Sequence, residues 1–388
     1  MALKNLLKYL KRFRQNFWGD NRMKLFTIGP VELYPSTKEV RKNGFIHFRT
    51  KEFGEIVKAS LGRLSKLLGN NEPNSLIYFA ASGTAMMEAT VENCVSDDDK
   101  CLVIAGGSFG RRFCELLEYH HKNYEPLKLN WNESLTAEHL KPYENKNYTM
   151  LFVNLHETHT GQLYDIKMLS EFCKRNNMML VVDAISAFLA DEYDMEKYGI
   201  DLTIISSQKG LCLSPGMSFI SFSKRMLEKV EKMPLPPTKY FDFKDYLKNI
   251  PRGQTPYTPP VLVMYELQDM LNVIDKEGGL NARLSLVKEK AEYFRKKYKE
   301  LGLTIPNYPL SYALTPLYFE NVDAFELIQV LKDKYQIFVN PCGGYLAKNL
   351  LRVAHIGNTT IEDIDDLLEK LMLSIQEVKS RELVYDRQ

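Results

Sequence analysis

The sequence predicts an α/β fold: a mostly parallel sheet covered by helices, followed by a smaller C-terminal α+β domain. Three observations carry this. The 388 residues exceed the roughly 250–300 at which a single core stops growing, so one large and one small domain are expected. Short apolar runs alternate with helix-patterned runs from residue 75 to about 233, which places helices on both faces of a parallel sheet. After a proline-rich break, the chain mixes long helices with short strands and ends on a helix. The expected division is a basic extension at 1–22, a large domain at 23–265 whose N-terminal segment either domain could share, and a small domain at 266–388.

The elements follow in order. A turn signal, Gly29-Pro30, comes soon after Met23. Ser36 and Glu39 have capping-box spacing, so a helix is expected from about Ser36. Glu52 to Leu68 has apolar residues three and four apart, the mark of an amphipathic helix. Strands are predicted at 75–81, 100–106, 148–156, 178–185, 202–208 and 218–223, and helices at 84–95, 111–121 and 166–177 and in the run KRMLEKVEKM. Residues 234–260 contain seven prolines and many aromatics, and read as a long loop that needs a partner surface. Helices at 261–275 and 281–301 lead to strand YALTPLYF, helix AFELIQVLKDKY, strands IFVN and LLRVAHI, and a last helix at 360–378.

Composition narrows the classes. A formal net charge of +2 gives no reason to propose a nucleic-acid partner, and no apolar run approaches the ~20 residues of a membrane-spanning helix. None of the six cysteines forms a CxxC pair. They read as reduced thiols of a cytoplasmic protein, with neither a disulfide framework nor a metal site. Residues 1–24 carry seven basic groups against one acid, with Leu3, Leu6, Leu7, Leu10, Phe13 and Phe17 at helical spacing. A membrane-surface helix through residues 1–22, a targeting presequence, a solvated extension, and residues upstream of a start at Met23 all fit that pattern.

Three features sit at predicted strand ends, where open parallel sheets bind ligands. Ser82-Gly83-Thr84 ends one strand and opens a helix. Free amides at a helix N-terminus favour an anion such as phosphate, although an ordinary N-cap would look the same. Asp183 ends MMLVVD. A carboxylate there needs a partner: a cationic ring nitrogen, a structural salt bridge, or the amides of a helix that it caps. Lys209 follows an apolar strand and precedes Gly210. Desolvation would lower its pKa and make it a nucleophile; a snorkelling surface lysine is the alternative.

Taken in this order, the three resemble the class V aminotransferases of fold type I, and the likeness runs over nearly all of residues 23–375. FTIGPVEL resembles the family's opening segment and contributes Gly29 to the substrate side. GGSFGRR resembles the segment whose aromatic residue, Phe109, stacks on the cofactor ring. HETHTG resembles the loop whose Thr158 bonds near the cofactor's phenolic oxygen. VVDAIS and SSQKGL resemble the aspartate strand and the lysine segment, with Gln208 helping to hold the cofactor. LLRVAHIGN resembles the segment whose arginine, Arg352, receives the substrate carboxylate through its planar fork. RGQTPYTPP resembles a segment that crosses a dimer interface, which implies a homodimer with composite sites in which Thr258 donates to the phosphate in the partner's site.

The resemblance implies pyridoxal 5′-phosphate held by Lys209 as a Schiff base, and ping-pong transfer between a small amino donor and a keto acid, with Lys209 as general base and acid. FRTKEF, YFDFKDYLK, GQTPYTPP and EGGLNAR are most similar to 2-aminoethylphosphonate:pyruvate aminotransferases. A phosphonate and a carboxylate would then alternate at Arg352, with Arg49 either assisting or forming a surface ion pair. Serine– or alanine–glyoxylate aminotransferases are the alternative. Cys342 in VNPCGGYLAKN is the one candidate for a desulfurase nucleophile, and reads as a packing cysteine. A fold of this type that has lost catalysis and only binds is a further alternative, opposed by the presence of Lys209, Asp183 and Arg352. The chain departs from the family before the arginine strand, where VNPCGGYLAKN stands.

Overall fold

A computed structural model describes residues 23–42 and 44–385. The basic segment 1–22, with the membrane-surface and presequence readings attached to it, lies outside the described residues. The strands in chain order are β1 (Lys24–Phe26), β2 (Leu76–Phe79), β3 (Cys101–Ala105), β4 (Tyr124–Lys128), β5 (Met150–Asn154), β6 (His156–Glu157), β7 (Gln162–Leu163), β8 (Met179–Asp183), β9 (Leu202–Ser206), β10 (Ser218–Phe222), β11 (Leu314–Tyr318), β12 (Ile337–Pro341) and β13 (Leu350–Ala354).

The main sheet has the order β2-β10-β9-β8-β5-β3-β4. β4, β3, β5, β8 and β9 run parallel, and β10 runs antiparallel to its neighbours β9 and β2. Every residue of β2, β3, β5, β9 and β10 is buried. Strands covered on both faces read as unbroken apolar runs, which is why the sequence shows them. Each large aliphatic or aromatic side chain so buried contributes roughly 1.5–3 kcal/mol. β4 escapes the sequence reading because it is an edge strand, YEPLK, half-exposed and interrupted by Pro126.

Helices Lys51–Leu67, Gly83–Cys94, Ser108–Tyr119, Ile166–Arg175 and Lys224–Lys232 stand where the periodicity puts them. The capping box expected of Ser36 and Glu39 does not form. Pro35 occupies the first turn of helix Pro35–Val40 behind Tyr34, which makes no side-chain cap bond; proline suits that position because its missing N–H costs nothing there.

Residues 234–260 are not one long loop. Helix Phe243–Asn249, capped by Asp242, lies between two single turns. Its aromatics find their partner surface within the chain: Tyr246 lies against Phe79 of β2 with ring centres 3.8 Å apart. Asn93 accepts from the Phe243 amide at 3.0 Å and donates to the Phe241 carbonyl at 2.8 Å.

The second sheet has the order β1-β12-β13-β11. β1 is parallel to β12, so the start of the described chain lies in the sheet of its C-terminal part. The Ile28 amide extends that pairing by donating to Asn340 Oδ1 at 2.5 Å. Helix Val261–Glu277 runs through position 265 and buries Met264, Leu267, Met270 and Leu271 in the core of the main sheet. The next helix, Leu280–Glu300, changes allegiance along its length: Val287 belongs to that core, while Phe294 and Tyr298 belong to the core of the second sheet. Among the described residues no helix is long and apolar enough to cross a membrane.

Candidate active site

The C-terminal ends of β5, β8 and β9 converge with β13 on one cleft. Asn154 and Asp183 are register partners at the ends of adjacent parallel strands. Asp183 is 1% exposed. One carboxylate oxygen accepts from Asn154 Nδ2 at 2.9 Å and the other from the Ile185 amide at 2.9 Å. No cation among the described residues is ion-paired with it. Burial raises its pKa to about 6, against the opposing pull of those two bonds and of Lys209.

Lys209 stands three residues past the end of β9, and its ammonium makes no hydrogen bond or ion pair among the described residues. Burial lowers its pKa to about 8, helped by the nearby Arg352 charge and opposed by Asp183. A desolvated ammonium surrounded by guanidinium groups gives up its proton more readily. Gly29 lies against its stem: a Cβ there would come within 2.6 Å of Lys209 Cδ, and its φ of +151° disfavours any side chain.

On the opposite wall, Arg352 of β13 donates from Nη1 to the Thr158 carbonyl at 2.6 Å and from Nη2 to the Pro341 carbonyl. Its Nε is buried without a partner. Thr158 and His159 follow Glu157, a fully buried carboxylate that accepts from the amides of Gly110 at 3.0 Å, His159 at 3.1 Å and Phe109 at 3.4 Å. Glu157 thus ties the HETHTG turn to the N-terminus of helix Ser108–Tyr119, where a carboxylate suits the helix dipole. Burial, then Arg352 and Arg111, push His159 down to about 4, so its imidazole is neutral. Cys342 Sγ rests 3.7 Å from His159 Nδ1. The thiol is buried and raised in pKa chiefly by that burial, which keeps it protonated and unlike a nucleophilic cysteine.

Lys209, Gly29, Phe109, Thr158 and Arg352 line a common cleft of about 530 Å³. The Ser82-Gly83-Thr84 turn lies outside its walls. Ser82 caps helix Gly83–Cys94 through the Ala85 amide at 3.3 Å, so the plain capping role is present there. Gly83 is needed for closeness: a Cβ would meet Ile185 Cδ1 at 2.4 Å. Arg112 links the turn to the cleft, donating to Thr84 Oγ1 at 3.0 Å while its guanidinium lies over the Phe109 ring. Gln208 is outside the lining and receives a bond from Ser207 Oγ at 3.4 Å. Arg49 is not in this chain's cleft, and its partners are not acidic. It holds the proline-rich segment through Gln254, the Thr255 carbonyl and the Pro256 carbonyl. Thr258 is exposed on that segment.

These residues fit pyridoxal phosphate. A buried carboxylate without a bonded cation can receive a protonated ring nitrogen, a lysine with depressed pKa stands nearby, and a helix N-terminus whose Ala85 amide is taken by Ser82 leaves its first amides, those of Gly83 and Thr84, for a phosphate. Sequence reasoning missed Asn154, Glu157, His159 and Arg111. Asn154 alone had a local signal, since it ends its strand just as Asp183 ends the next one.

A solved structure with the same chain path establishes the fold. An alanine–glyoxylate aminotransferase from Nostoc superposes with a TM-score of 0.86 at 24% identity, covering 91% of this chain and 95% of its own. The fold is therefore fold type I of the pyridoxal-phosphate enzymes. Residues 35–367 match the family model for class V aminotransferases, and the chain belongs to that family: it is a pyridoxal-phosphate-dependent aminotransferase. An uncharacterized aminotransferase of Methanocaldococcus jannaschii is 27% identical over 92% of this chain and 94% of its own. A bifunctional phosphonoacetaldehyde hydrolase/aminoethylphosphonate transaminase of Clostridioides difficile is 29% identical over 92% of this chain and 58% of its own.

Proposed function

We propose that the protein moves the amino group of a small donor, 2-aminoethylphosphonate in preference, to pyruvate or a similar small keto acid. The observation that carries this reading is Lys209, with its depressed pKa, sharing one cleft with Arg352 in front of the buried Asp183. The phosphonate preference rests on the sequence likeness and on the related transaminase of C. difficile.

Bound pyridoxal phosphate supplies an electron sink for charge developing at the donor carbon. Asp183 holds a proton at the ring nitrogen, and Asn154 and the Ile185 amide orient that carboxylate. Phe109, Thr158, Ser82, Gly83, Thr84 and Gln208 would hold the cofactor, Phe109 through its ring and the others through polar groups. Lys209 Nζ, as a free amine, takes the proton from the donor carbon and returns it on the far side of the transfer. The guanidinium of Arg352 is held by two carbonyls on the wall of the cleft and would offer its remaining N–H donors to the substrate anion.

The working form is a cytoplasmic homodimer in which Thr258 reaches the partner's phosphate site. Its exposed position on a segment pinned by Arg49 supports this, as do Phe45, Ile46 and Leu262, which are exposed apolar residues. Six free thiols agree with a reducing compartment. The test loads the protein with pyridoxal phosphate, fixes the adduct with borohydride and maps it by mass. The adduct is expected on Lys209 and absent from Lys209→Ala. Alanine formed from pyruvate and 2-aminoethylphosphonate supports the donor. If only serine or alanine donates, with glyoxylate as acceptor, the phosphonate assignment fails.

A further inference from the structure

We propose that Arg111 and Arg352 together hold a doubly charged group of the substrate, so that the cleft selects a dianionic tail over a monocarboxylate. This rests on the cleft being the substrate site of an aminotransferase, as read above.

The cleft carries more positive charge than one carboxylate needs. Lys209, Arg111, Arg112 and Arg352 all line it, and the one acid beside them is Glu115. Asp183 and Glu157 lie behind the walls with their oxygens engaged. The arginines differ in how far they are committed. Arg112 is spent on Thr84 and the Phe109 ring, on the side of the phosphate turn. Arg352 is fixed by two carbonyls. The exposed Arg111 guanidinium makes no hydrogen bond and no ion pair among the described residues, and Glu115, one helical turn along, does not engage it.

The helix explains why neighbours serve different ends. Adjacent residues diverge by about 100° around a helix axis. Arg112 turns to Thr84, whereas Arg111 faces the side of His159. That imidazole lines the cleft together with Arg111 and Arg352, and burial first, then the two arginine charges, depresses it. Near the start of helix Ser108–Tyr119 both arginines oppose the helix dipole; Arg112 offsets this through Thr84 and the Phe109 ring, and Arg111 through its attraction to the buried Glu157. A carboxylate is matched by one planar fork. A group with about two charges and three acceptor oxygens, such as a phosphonate, matches two. A malonate-like dicarboxylate has the same chemistry from another source.

The experiment is calorimetric titration of the cofactor-loaded, full-length protein with methylphosphonate, malonate and acetate at mildly alkaline pH. None of these probes has an amine to transfer. Wild type should bind methylphosphonate about tenfold or more tightly than acetate, in keeping with one additional charge-assisted contact. Arg111→Gln should cut that ratio by about tenfold, and Arg111→Lys should keep most of it. Preference for malonate over methylphosphonate, with the same dependence on Arg111, supports the dianion site and assigns it to dicarboxylates. A wild-type ratio near one, or a ratio unmoved by Arg111→Gln, overturns the inference. The two readings separate cleanly. If 2-aminoethylphosphonate is not a donor yet the ratio and its Arg111 dependence hold, the donor assignment fails and this site stands. If it is a donor while both anions bind alike, the reverse follows.

Discussion

Replacing Asp183 by asparagine should stabilise the cofactor-free protein while weakening its hold on the cofactor. Burial raises Asp183 from the usual 3.8 to about 6. A displacement of that size corresponds to roughly 3 kcal/mol, directed against the ionised form. The folded chain therefore binds this proton more tightly than the unfolded chain does, so stability falls as pH rises from about 4 through 6. By pH 7 the whole penalty is present. Asparagine has the same shape and no charge. Its Oδ1 keeps the bond from the Ile185 amide. Its Nδ2 would face Asn154, whose Oδ1 is buried and unpartnered and can turn to accept. No hydrogen bond need be lost. In cofactor-stripped protein, Asp183→Asn should melt higher than wild type by about 3–4 °C at pH 7 if the 388 residues unfold as one unit. The difference should vanish towards pH 4. The same variant should bind pyridoxal phosphate more weakly, because an amide cannot pair with a protonated ring nitrogen. A cofactor-free Asp183→Asn protein no more stable than wild type at pH 7 would refute the claim that this carboxylate is held there at a cost.

Two further outcomes follow from the same cleft. The depressed pKa of Lys209 means that its neutral amine is populated above about pH 8; acetylation of Lys209 in cofactor-free protein, read by mass, should show a midpoint near that value, and one near 10.5 would exclude a desolvated lysine. Gly29→Ala should cost more than about 1 kcal/mol of stability, because the added Cβ meets Lys209 Cδ at 2.6 Å and the backbone is at φ +151°. It should also reduce borohydride-fixed cofactor, whereas unchanged melting and fixation would mean that Gly29 does not confine the lysine.

The parts of the fold that were legible in the sequence are those whose burial is complete. β3, β5, β9 and β10 are covered on both faces, so their composition alone marks them. β4 was missed because an edge strand carries half a signal, and β1 because a three-residue strand has no periodicity to read. The segment 234–260 misled through its prolines, since the helix within it exists by virtue of Phe79 and Asn93, which lie far away in sequence. Asp183 was legible because it ends an apolar strand, and Lys209 because it follows one by three residues; a polar residue there has few places to go.

The rest of the cleft depends on contacts that no local pattern encodes. Asn154 supports Asp183 because β5 and β8 are in parallel register, and that register is set by the whole sheet. Cys342 meets His159 across 183 positions of chain, joining β12 to the HETHTG turn. Glu157 fastens the same turn to the start of helix Ser108–Tyr119, and through that helix to Phe109 and both arginines. The consequence is a division of labour. Asp183 and Lys209, at or just past strand ends, are readable one element at a time. Arg111, His159 and Arg352 lie where a helix, a turn and the second sheet meet. On the proposed function, a change in donor preference would come from altering that meeting point, with Asp183 and Lys209 left where the main sheet puts them.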